Sequence, residues 1–521
     1  MEKTNASIAQ HYHDRTKYDP ETISSKSRGL DWENQPVPFK EYKLGSEIDL
    51  KPYLRKEPQE WTEEADQTLS RLSQLLFFSY GVTARLETTM GPPLYLRAAP
   101  SAGGLYPAEV YLIARGTSLL PAGLYNYQCR THSLINFWQS EVWPGLQTAC
   151  LGNPVLENTE LAIVLTAVFY RSAWRYEDRA YRRIFLDSGH LLGNIELASA
   201  FTSYQGHLIG GFADNQLNDL LYLESEVEEA IAVVPLVDQH KQRQTLTPAT
   251  TVLPSATQTD YPSVPDGQLL GYLHEATKIE DNRNLGQEGE LFKTDLQGKT
   301  LEDKYNFPFC TKVSTATTPI DWGGAMGEEL PLQRLENTIL KRRSTRAYSG
   351  ADISIEELKA ILDFTYQATH YIDQGLNGSP DYFQLNLIET FVAVSGVNDL
   401  EEGCYYYAPI AQELRQIRFK NFRRELHYLC LGQELGRDAS AVVFHTADLK
   451  KAVEQLGDRA YRYLHMDAGH LGQRLNLAAI GLGLGVSGIA GFFDDSVNEV
   501  LGIPTDEAVL YVTTLGRPIR R

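Results

Sequence analysis

Hydrophobic and polar positions follow the same order of elements twice along the chain. A run with helical spacing covers 72–80, and a strand-like run follows at 109–114. A second helical run at 358–366 is likewise followed by a strand-like run at 389–394. The pattern therefore predicts two copies of one domain that mixes helices and strands.

Both copies continue alike, with a short β-rich run, a long helix and a closing strand. In the first copy the β-rich run lies at 161–170, the long helix starts at Arg179 and the closing strand lies at 231–236. In the second copy the β-rich run lies at 440–445, the helix starts at Arg459 and the strand lies at 509–514. Helices mixed with strands that are mostly not adjacent in sequence indicate an α+β domain, present twice.

The amino-acid identities show the same duplication. RAYRRIFLDSGHLLGNIELASA begins at Arg179 and RAYRYLHMDAGHLGQRLNLAAI begins at Arg459, an offset of 280 residues at which ten of the twenty-two positions are identical. The offset also aligns Gly-Phe-Ala-Asp at 211–214 with Gly-Phe-Phe-Asp at 491–494. A chance match is a poor explanation for such a repeat.

The segment between the copies differs from both in composition. Residues 241–265 are rich in Thr, Pro and Ser and predict a linker, and 266–329 are polar with one short helix near 269–279, which predicts a segment that wraps the surface. We therefore expect a leader at 1–60, a first domain at 61–240, a linking segment at 241–330 and a second domain at 331–521.

Charge and cysteine content exclude several classes of function. The 521 residues carry a net charge of −19, which disfavours nucleic acid and anionic membranes as partners. Five scattered cysteines form no metal-binding pattern and indicate a reducing compartment. The apolar run 475–493 holds five glycines, which predict a helix that ends, turns and continues as a strand rather than a membrane span. We expect a soluble protein of the cytoplasm, without a secretory signal.

The strongest chemical signal is a difference between the copies. Only the second has the cluster Lys-Arg-Arg-Ser-Thr-Arg at 341–346, ahead of a helix that opens at Ser354 with Glu357 at capping-box spacing. Guanidinium groups bind phosphate in pairs of hydrogen bonds, so the cluster is either a phosphate site or a solvated charge run. The first copy has Lys-Glu-Pro-Gln-Glu at 56–60 in the matching place, which suits phosphate poorly.

The first copy instead has Pro-Ser-Ala-Gly-Gly-Leu-Tyr-Pro at 100–107 before a strand. Small residues let the backbone approach a flat ligand closely, although an ordinary turn has the same composition. Its counterpart at 380–384 keeps only the proline. Because each copy holds what the other lacks, we predict one composite site at the interface between them.

These motifs, with the terminal Leu-Gly-Arg-Pro, resemble the flavin-dependent nitroreductase superfamily, in particular its SagB-type and cyanobactin-oxidase-type dehydrogenases. The N-terminal HYHDRTKYDP and LDWENQPVPFKEY resemble the leader of that branch. The resemblance implies FMN as the cofactor, NAD(P)H as a candidate electron donor and a small organic or peptide-derived substrate. It also implies a fold that normally forms a homodimer, so that the two copies form a pseudo-dimer within one chain.

Family positions carry over residue by residue. The FMN phosphate and pyrimidine side corresponds to Arg342, Arg343, Ser344 and Arg346, and the partner-subunit segment to Pro100, Ser101, Ala102, Gly103 and Gly104. The loop beside the flavin ring corresponds to Ser487, Gly488, Ile489 and Gly491, and the closing phosphate contact to Gly516 and Arg517. All four pieces complete one site, so we expect one FMN per chain.

The remaining motifs indicate chemistry less directly than these four pieces. In the resembling dehydrogenases a Lys-Tyr pair acts on an azoline ring, and Arg175 and Tyr176 occupy those positions here, either as catalytic groups or as plain surface residues. An arginine stays protonated and is no general base, which argues against azoline oxidation.

His190 and His470 recur at equivalent positions of the two copies, which predicts a structural role for both. The glycines at 481–485 predict a helix stop rather than a dinucleotide loop. A scaffold without catalysis is the alternative to an FMN oxidoreductase.

Overall fold

The computed structural model describes residues 6–23, 29–54, 61–88, 93–117, 120–241, 244, 249–280, 303–322 and 331–519. The segment 56–60, compared above with the basic cluster, lies outside these residues. Among the described residues, no helix combines the length and the hydropathy that a bilayer crossing requires.

The leader and first copy contain helices and strands in alternation. The helices are α1 (Ile8–Arg15), α2 (Glu64–Tyr80), α3 (Trp143–Ala149), α4 (Phe169–Tyr176), α5 (Ala180–Phe201) and α6 (Asp214–Leu220). The strands are β1 (Ser46–Asp49), β2 (Val82–Leu86), β3 (Leu94–Arg97), β4 (Ala108–Ala114), β5 (Gly123–Gln128), β6 (Ser133–Gln139), β7 (Leu161–Val168), β8 (Tyr204–Gly206) and β9 (Glu228–Asp238).

The linking segment and second copy repeat this series. The helices are α7 (Leu269–Ala276), α8 (Pro331–Lys341), α9 (Ile355–Tyr366), α10 (Arg423–Leu429), α11 (Glu434–Asp438), α12 (Leu449–Leu456), α13 (Ala460–Gly481) and α14 (Asp494–Leu501). The strands are β10 (Lys312–Ser314), β11 (Ile353–Ser354), β12 (Glu389–Val394), β13 (Val397–Asn398), β14 (Gly403–Ala408), β15 (Glu413–Arg418), β16 (Ala441–Asp448), β17 (Gly485–Ile489) and β18 (Glu507–Gly516).

Each copy is built on a seven-stranded antiparallel sheet. The strand orders are β1-β6-β5-β4-β7-β9-β8 and β10-β15-β14-β12-β16-β18-β17, so every strand of one sheet has a counterpart in the other. All eleven residues of β9 are buried, as expected for a central strand covered on both faces. The prediction of an α+β fold present twice is confirmed.

Most element predictions are confirmed, with two corrections. The apolar run 475–493 does end a helix at Gly481 and continue as β17, and Ser354 and Glu357 form the capping box of α9. The β-rich run 161–170, however, ends at Val168, where α4 begins. The linking segment does not only wrap the surface, because Trp322 is 0% exposed and contacts Phe364.

The long helices α5 and α13 pack against each other where the copies meet. A Cβ on Gly189 would lie 2.9 Å from Cα of Gly469, and a Cβ on Gly469 would lie 3.0 Å from Cα of Gly189. Real Cβ atoms do not approach other heavy atoms this closely, so only glycine permits the crossing. The repeated Gly-His motif thus contains the contact point of the pseudo-dimer.

The repeated Arg-Ala-Tyr-Arg motif joins the copies by exchanged ion pairs. Arg179 and Arg182 of the first copy bind Asp494 of the second at 2.9 and 2.7 Å. Arg459 and Arg462 of the second copy bind Asp214 of the first at 2.6 and 2.8 Å.

All six side chains of these pairs are buried. Burial alone would raise the pKa of Asp214 and Asp494, but the arginines hold both pKa values below the usual range.

Candidate active site

The basic cluster of the second copy reaches the first copy directly. The Arg342 side chain donates from Nε to the carbonyl of Ala98 at 2.7 Å and from Nη2 to the carbonyl of Arg97 at 3.1 Å. The Arg343 side chain donates to the hydroxyl and the carbonyl of Thr83 at 3.1 and 3.2 Å. The cluster therefore lies beside the segment that leads into residues 100–104.

Within the second copy, the predicted pieces are joined by backbone hydrogen bonds. The amide of Thr345 donates to the carbonyl of Val486 at 2.8 Å, and the amide of Val486 donates to Oγ1 of Thr345 at 2.9 Å. The amide of Ser349 donates to the carbonyl of Arg517 at 2.9 Å. The structure thus brings the basic cluster, β17 and the chain end together.

Three guanidinium groups of the cluster lie near one another. Arg342 is 3% exposed, and its Nη1 atom has no hydrogen-bond partner among the described residues. Burial, aided by the charges of Arg343 and Arg346, lowers the pKa of Arg342 to about 10. No described carboxylate forms an ion pair with any of the three, so this corner of the interface favours an anion.

The loop at 100–104 is held by a carboxylate of α5. Asp187 accepts hydrogen bonds from the Ser101 hydroxyl at 2.5 Å and from the Ala102 amide at 3.1 Å. The same hydroxyl accepts from the Tyr106 amide at 2.9 Å. Burial raises the pKa of Asp187 to about 7, although the hydrogen bonds oppose the shift.

The second copy holds its corresponding loop in the same way. Asp467 accepts from the amides of Phe383 and Gln384 at 2.9 and 2.6 Å, and burial raises the pKa of Asp467 to about 7. Both loops are therefore fixed alike, and they differ in the side chains they present.

The predicted catalytic pair lies against the glycine loop. A Cβ on Gly103 would be 3.0 Å from the Tyr176 hydroxyl and 3.3 Å from Cδ of Arg175. The guanidinium carbon of Arg183 lies 4.2 Å from the centroid of the Tyr176 ring, and Arg183 also donates to the carbonyl of Ala490. Through Arg183, the half-buried Tyr176 is connected to the loop after β17.

The backbone after Tyr176 is strained. Glu177 has φ 48° and ψ −137°, a region that residues with a side chain rarely adopt. The equivalent position in the second copy is Gly457, which has φ 66° and ψ −165°. The first copy keeps the turn without the glycine that suits it, and such strain is typical of functional sites.

β17 passes directly over Tyr511. A Cβ on Gly488 would lie 2.9 Å from Cζ of Tyr511 and closer still to its hydroxyl oxygen. The Tyr511 hydroxyl lies 2.9 Å from Nε2 of His190, whose Nδ1 lies 2.9 Å from Oε1 of Gln473. Burial lowers the pKa of His190 to about 3, so the ring is neutral. His190 thus supports Tyr511 across the interface.

Two predicted cofactor-binding positions have other partners in the structure. Arg517 forms an ion pair with Glu357 at 2.8 Å, and a Cβ on Gly491 would lie 2.7 Å from Leu431. Their predicted roles toward FMN stay predictions. The remaining second-copy positions are the half-buried Ser344, the buried Ser487 and Ile489, and Gly516, which lies against Tyr348. The carbonyl of Ser487 accepts from the Thr514 hydroxyl at 3.0 Å.

Several residues of the site were not found from sequence. Asp187 and Arg183 lie within the repeated helix motif, but their spacing alone gave no sign of the loop or the ring they contact. Tyr511 showed no signal beyond its place in an apolar strand. Among the described residues, no group of three or more His, Cys, Asp and Glu side chains is placed to hold a metal ion.

Comparison with known proteins identifies the domain. The model of the nitroreductase family matches residues 66–236 and 339–517. A candidate nitroreductase of Methanocaldococcus jannaschii is 31% identical over 201 residues, which are 37% of this chain and 100% of that protein.

A crystal structure at 1.80 Å of a candidate nitroreductase from Anabaena variabilis is 66% identical. The match covers 98% of this chain and 99% of that one, with a TM-score of 0.91. The two-copy arrangement is therefore shared over the full length of that relative. The chain belongs to the nitroreductase family, with the domain of the family present twice.

Proposed function

We propose that this chain is an FMN-dependent oxidoreductase with one composite flavin site per chain, formed where the basic cluster meets the loop at 100–104. The observation that carries the proposal is the group of three guanidiniums, Arg342, Arg343 and Arg346, without a carboxylate partner among the described residues. It lies beside the glycine loop of the other copy. The proposal goes beyond family membership, because it names the residues that form the flavin site.

The residues present fit the cofactor in two respects. The buried Nη1 of Arg342 lacks a partner and suits a phosphate oxygen. The absence of a side chain at Gly103 leaves room beside Tyr176 and Arg175, where a Cβ would come within 3.0 and 3.3 Å. These two features support the proposal, because the phosphate of FMN needs a cationic partner and its ring needs a close approach of the backbone.

When bound, FMN supplies the acceptance and donation of a hydride between two substrates. The arginines of the cluster hold the phosphate, and β17 presents its backbone beside Gly488. Tyr176, oriented by the Arg183 guanidinium at 4.2 Å, positions the substrate or donates a hydrogen bond to it. Its role is moderate because a phenol is a weak acid and gives up a proton only with help from a neighbouring base.

The substrate class follows from the groups that face the loop. Arg175 stands where the resembling dehydrogenases have a lysine, and a guanidinium is a poor general base, so we favour a small organic acceptor, such as a quinone or nitroarene, over an azoline peptide. NAD(P)H is the electron donor that we expect. All five cysteines are free thiols, which supports a reducing compartment such as the cytoplasm.

The experiment counts flavin. Protein reconstituted with excess FMN and desalted should release one FMN per chain on denaturation. Arg342→Ala should weaken FMN binding about 10- to 150-fold, because a hydrogen bond to a charged group contributes roughly 1.5–3 kcal/mol. Since Arg342 also binds two carbonyls, Arg346→Ala serves as a second variant that leaves those bonds intact. The exposed Lys450→Ala is the matched control.

Each outcome decides between the alternatives. Two flavins per chain, or none, would reject the composite site. Equal flavin affinity in the arginine variants and in the Lys450→Ala control would show that the cluster is not the phosphate site. Bound flavin that no donor reduces and no acceptor oxidises would favour the scaffold over the enzyme.

A further inference from the structure

A cavity of about 550 Å³ lies on the opposite side of the interface from the proposed flavin site. Its walls include Leu208 at the end of the strand pair β8–β9, Asp381 in the loop held by Asp467, and His470 on α13. At the repeat offset of 280, these residues correspond to Gly488, Ser101 and His190 of the flavin site. The cavity is therefore the pseudo-symmetric counterpart of that site.

The cavity differs from the flavin site by a coupled exchange of residues. In the sheet of the second copy, Tyr511 pairs with His445, and in the first sheet Ala232 pairs with the equivalent Leu165. Ala232 thus takes the place of Tyr511. Gly488 is required beneath the tyrosine, and the first copy has Leu208, which lines the cavity, in its place. The first copy therefore has no phenol ring at the position that Tyr511 occupies in the second.

Polar atoms beside this cavity lack hydrogen bonds within the protein. His190 bonds to Tyr511, whereas its counterpart His470, 2% exposed, has no hydrogen bond at Nδ1, and its Nε2 lies 3.6 Å from Oε2 of Glu196. Burial lowers the pKa of His470, although Glu196 opposes the shift. The hydroxyl of Ser199, 2% exposed, and Oε1 of Glu196 also line this cavity without a partner. Buried polar groups of this kind are costly unless a ligand or solvent pairs with them.

The lining selects against an anion. No lysine or arginine is among the described residues that form the walls, whereas Glu196 and Asp381 contribute carboxylates. Arg474, which lies outside the lining, forms an ion pair with Glu196 at 2.9 Å. Oδ2 of Asp381, 31% exposed, already lies 2.6 Å from Nδ1 of His207 and accepts from the Leu208 amide, so Oδ1 is the Asp381 oxygen that is left for a ligand. Apolar side chains of Leu192, Ile195 and Val234 complete the surface. FMN, with its dianionic phosphate, is excluded on charge.

We propose that this cavity is a second ligand site, which binds a small organic cation with an apolar body, such as an arylalkylammonium ion. The ammonium group pairs with Asp381, the apolar body packs on the aliphatic wall, and His470 and Ser199 offer hydrogen bonds. A volume of about 550 Å³ suits a molecule of this size. The site is separate from the proposed flavin site, so either assignment can fail alone.

The test uses the full chain with FMN added and two indoles of similar shape. Tryptamine, the cation, should bind once per chain in calorimetry, and indole-3-acetate, the anion, should bind at least tenfold more weakly. Asp381→Asn should weaken tryptamine about tenfold, because the asparagine keeps an oxygen for the Leu208 amide but lacks the charge. Ala200→Phe should abolish binding by filling the cavity, and the exposed Asp260→Asn is the matched control.

A crystal soaked with tryptamine should show the amine beside Asp381. The proposal is overturned if tryptamine gives no binding at about 5 mM, if both indoles bind equally, or if Asp381→Asn and Ala200→Phe bind tryptamine like the Asp260→Asn control. A second FMN in this cavity would also overturn it, and a flavin count of one or zero with tryptamine bound supports it.

Discussion

The packing of Gly488 against Tyr511 gives a prediction that can be worked from the structure. Gly488→Ala adds a methyl group 2.9 Å from Cζ and 3.1 Å from Cε2 of Tyr511, and closer still to its hydroxyl oxygen. The φ of Gly488 is not positive, so the backbone itself accepts alanine. Tyr511 has little freedom to move, because it is buried and its hydroxyl lies 2.9 Å from Nε2 of His190. The clash alone therefore sets the cost.

Overpacking of this kind costs about 1–3 kcal/mol in the free energy of unfolding. In the Tyr511→Ala background the clash is gone, and Gly488→Ala should instead stabilise by about 0.4–1 kcal/mol through the unfolded chain. The two substitutions should therefore couple by about 1.5–4 kcal/mol. The measurement is urea unfolding of the flavin-free protein for the wild type, both single variants and the double variant.

The first copy supplies the reverse test. Ala232→Tyr should lower the free energy of unfolding, because the new ring would meet the Leu208 side chain. Leu208→Gly should restore part of that free energy by removing the side chain. Additivity of Gly488→Ala and Tyr511→Ala within about 0.5 kcal/mol would refute the reasoning, since distant, independent sites behave that way. The flavin content of Gly488→Ala should also fall, because Tyr511 can yield only by displacing β17.

Three further predictions concern Tyr176, Glu177 and Asp187. Tyr176→Phe should lower turnover roughly ten- to a hundredfold, about 1.4–2.7 kcal/mol in the barrier, with FMN content constant. Stopped-flow measures oxidation of the reduced flavin by a quinone or a nitroarene and, separately, reduction of the oxidised flavin by an azoline peptide. An unchanged rate with all three would make Tyr176 structural. Efficient azole formation by the wild type would overturn the inference from Arg175. Glu177→Gly should raise the free energy of unfolding by about 1 kcal/mol by releasing strain, and an unchanged urea midpoint would contradict this. The pKa of Asp187 is raised to about 7, so ionisation of this carboxyl disfavours the folded state. The free energy of unfolding of the wild type, relative to Asp187→Asn, should therefore fall by at most about 1.4 kcal/mol per pH unit from about pH 4 to 7 and stay level above pH 7. A constant difference between the two proteins from pH 5 to 8 would exclude the shift.

Local patterns were enough to predict most of the fold. Periodicity and the repeat predicted two α+β copies, and glycines predicted the helix stop at Gly481, because these features depend on neighbours along the chain. The composite flavin site stays a prediction, which rests on the complementary motifs of the two copies. The structure places Arg342 of the second copy beside Ala98 of the first.

Long-range pairings could not be predicted in the same way. Arg179 and Asp494 are 315 residues apart, and one sequence contains no signal that joins them. The repeat contains the arginine pair and the aspartate in both copies. Their recurrence does not reveal that each arginine pair binds the aspartate of the other copy. The exchange of Tyr511 for Ala232 was hidden for a related reason, because strand register and not composition places them at equivalent positions.

The ion pairs exchanged between the copies bear on how the sequences of the two copies can change in evolution. In a homodimer, one codon change alters both ends of the interface at once, so neither binding site can change alone. Here the contact glycines, the loop-holding aspartates and the Arg179–Asp494 and Arg459–Asp214 pairs stay matched in both copies. The loops that these aspartates hold have diverged, and so have Tyr511 and Ala232. Joining the copies in one chain therefore preserves a symmetric frame while each half of the interface can change by itself.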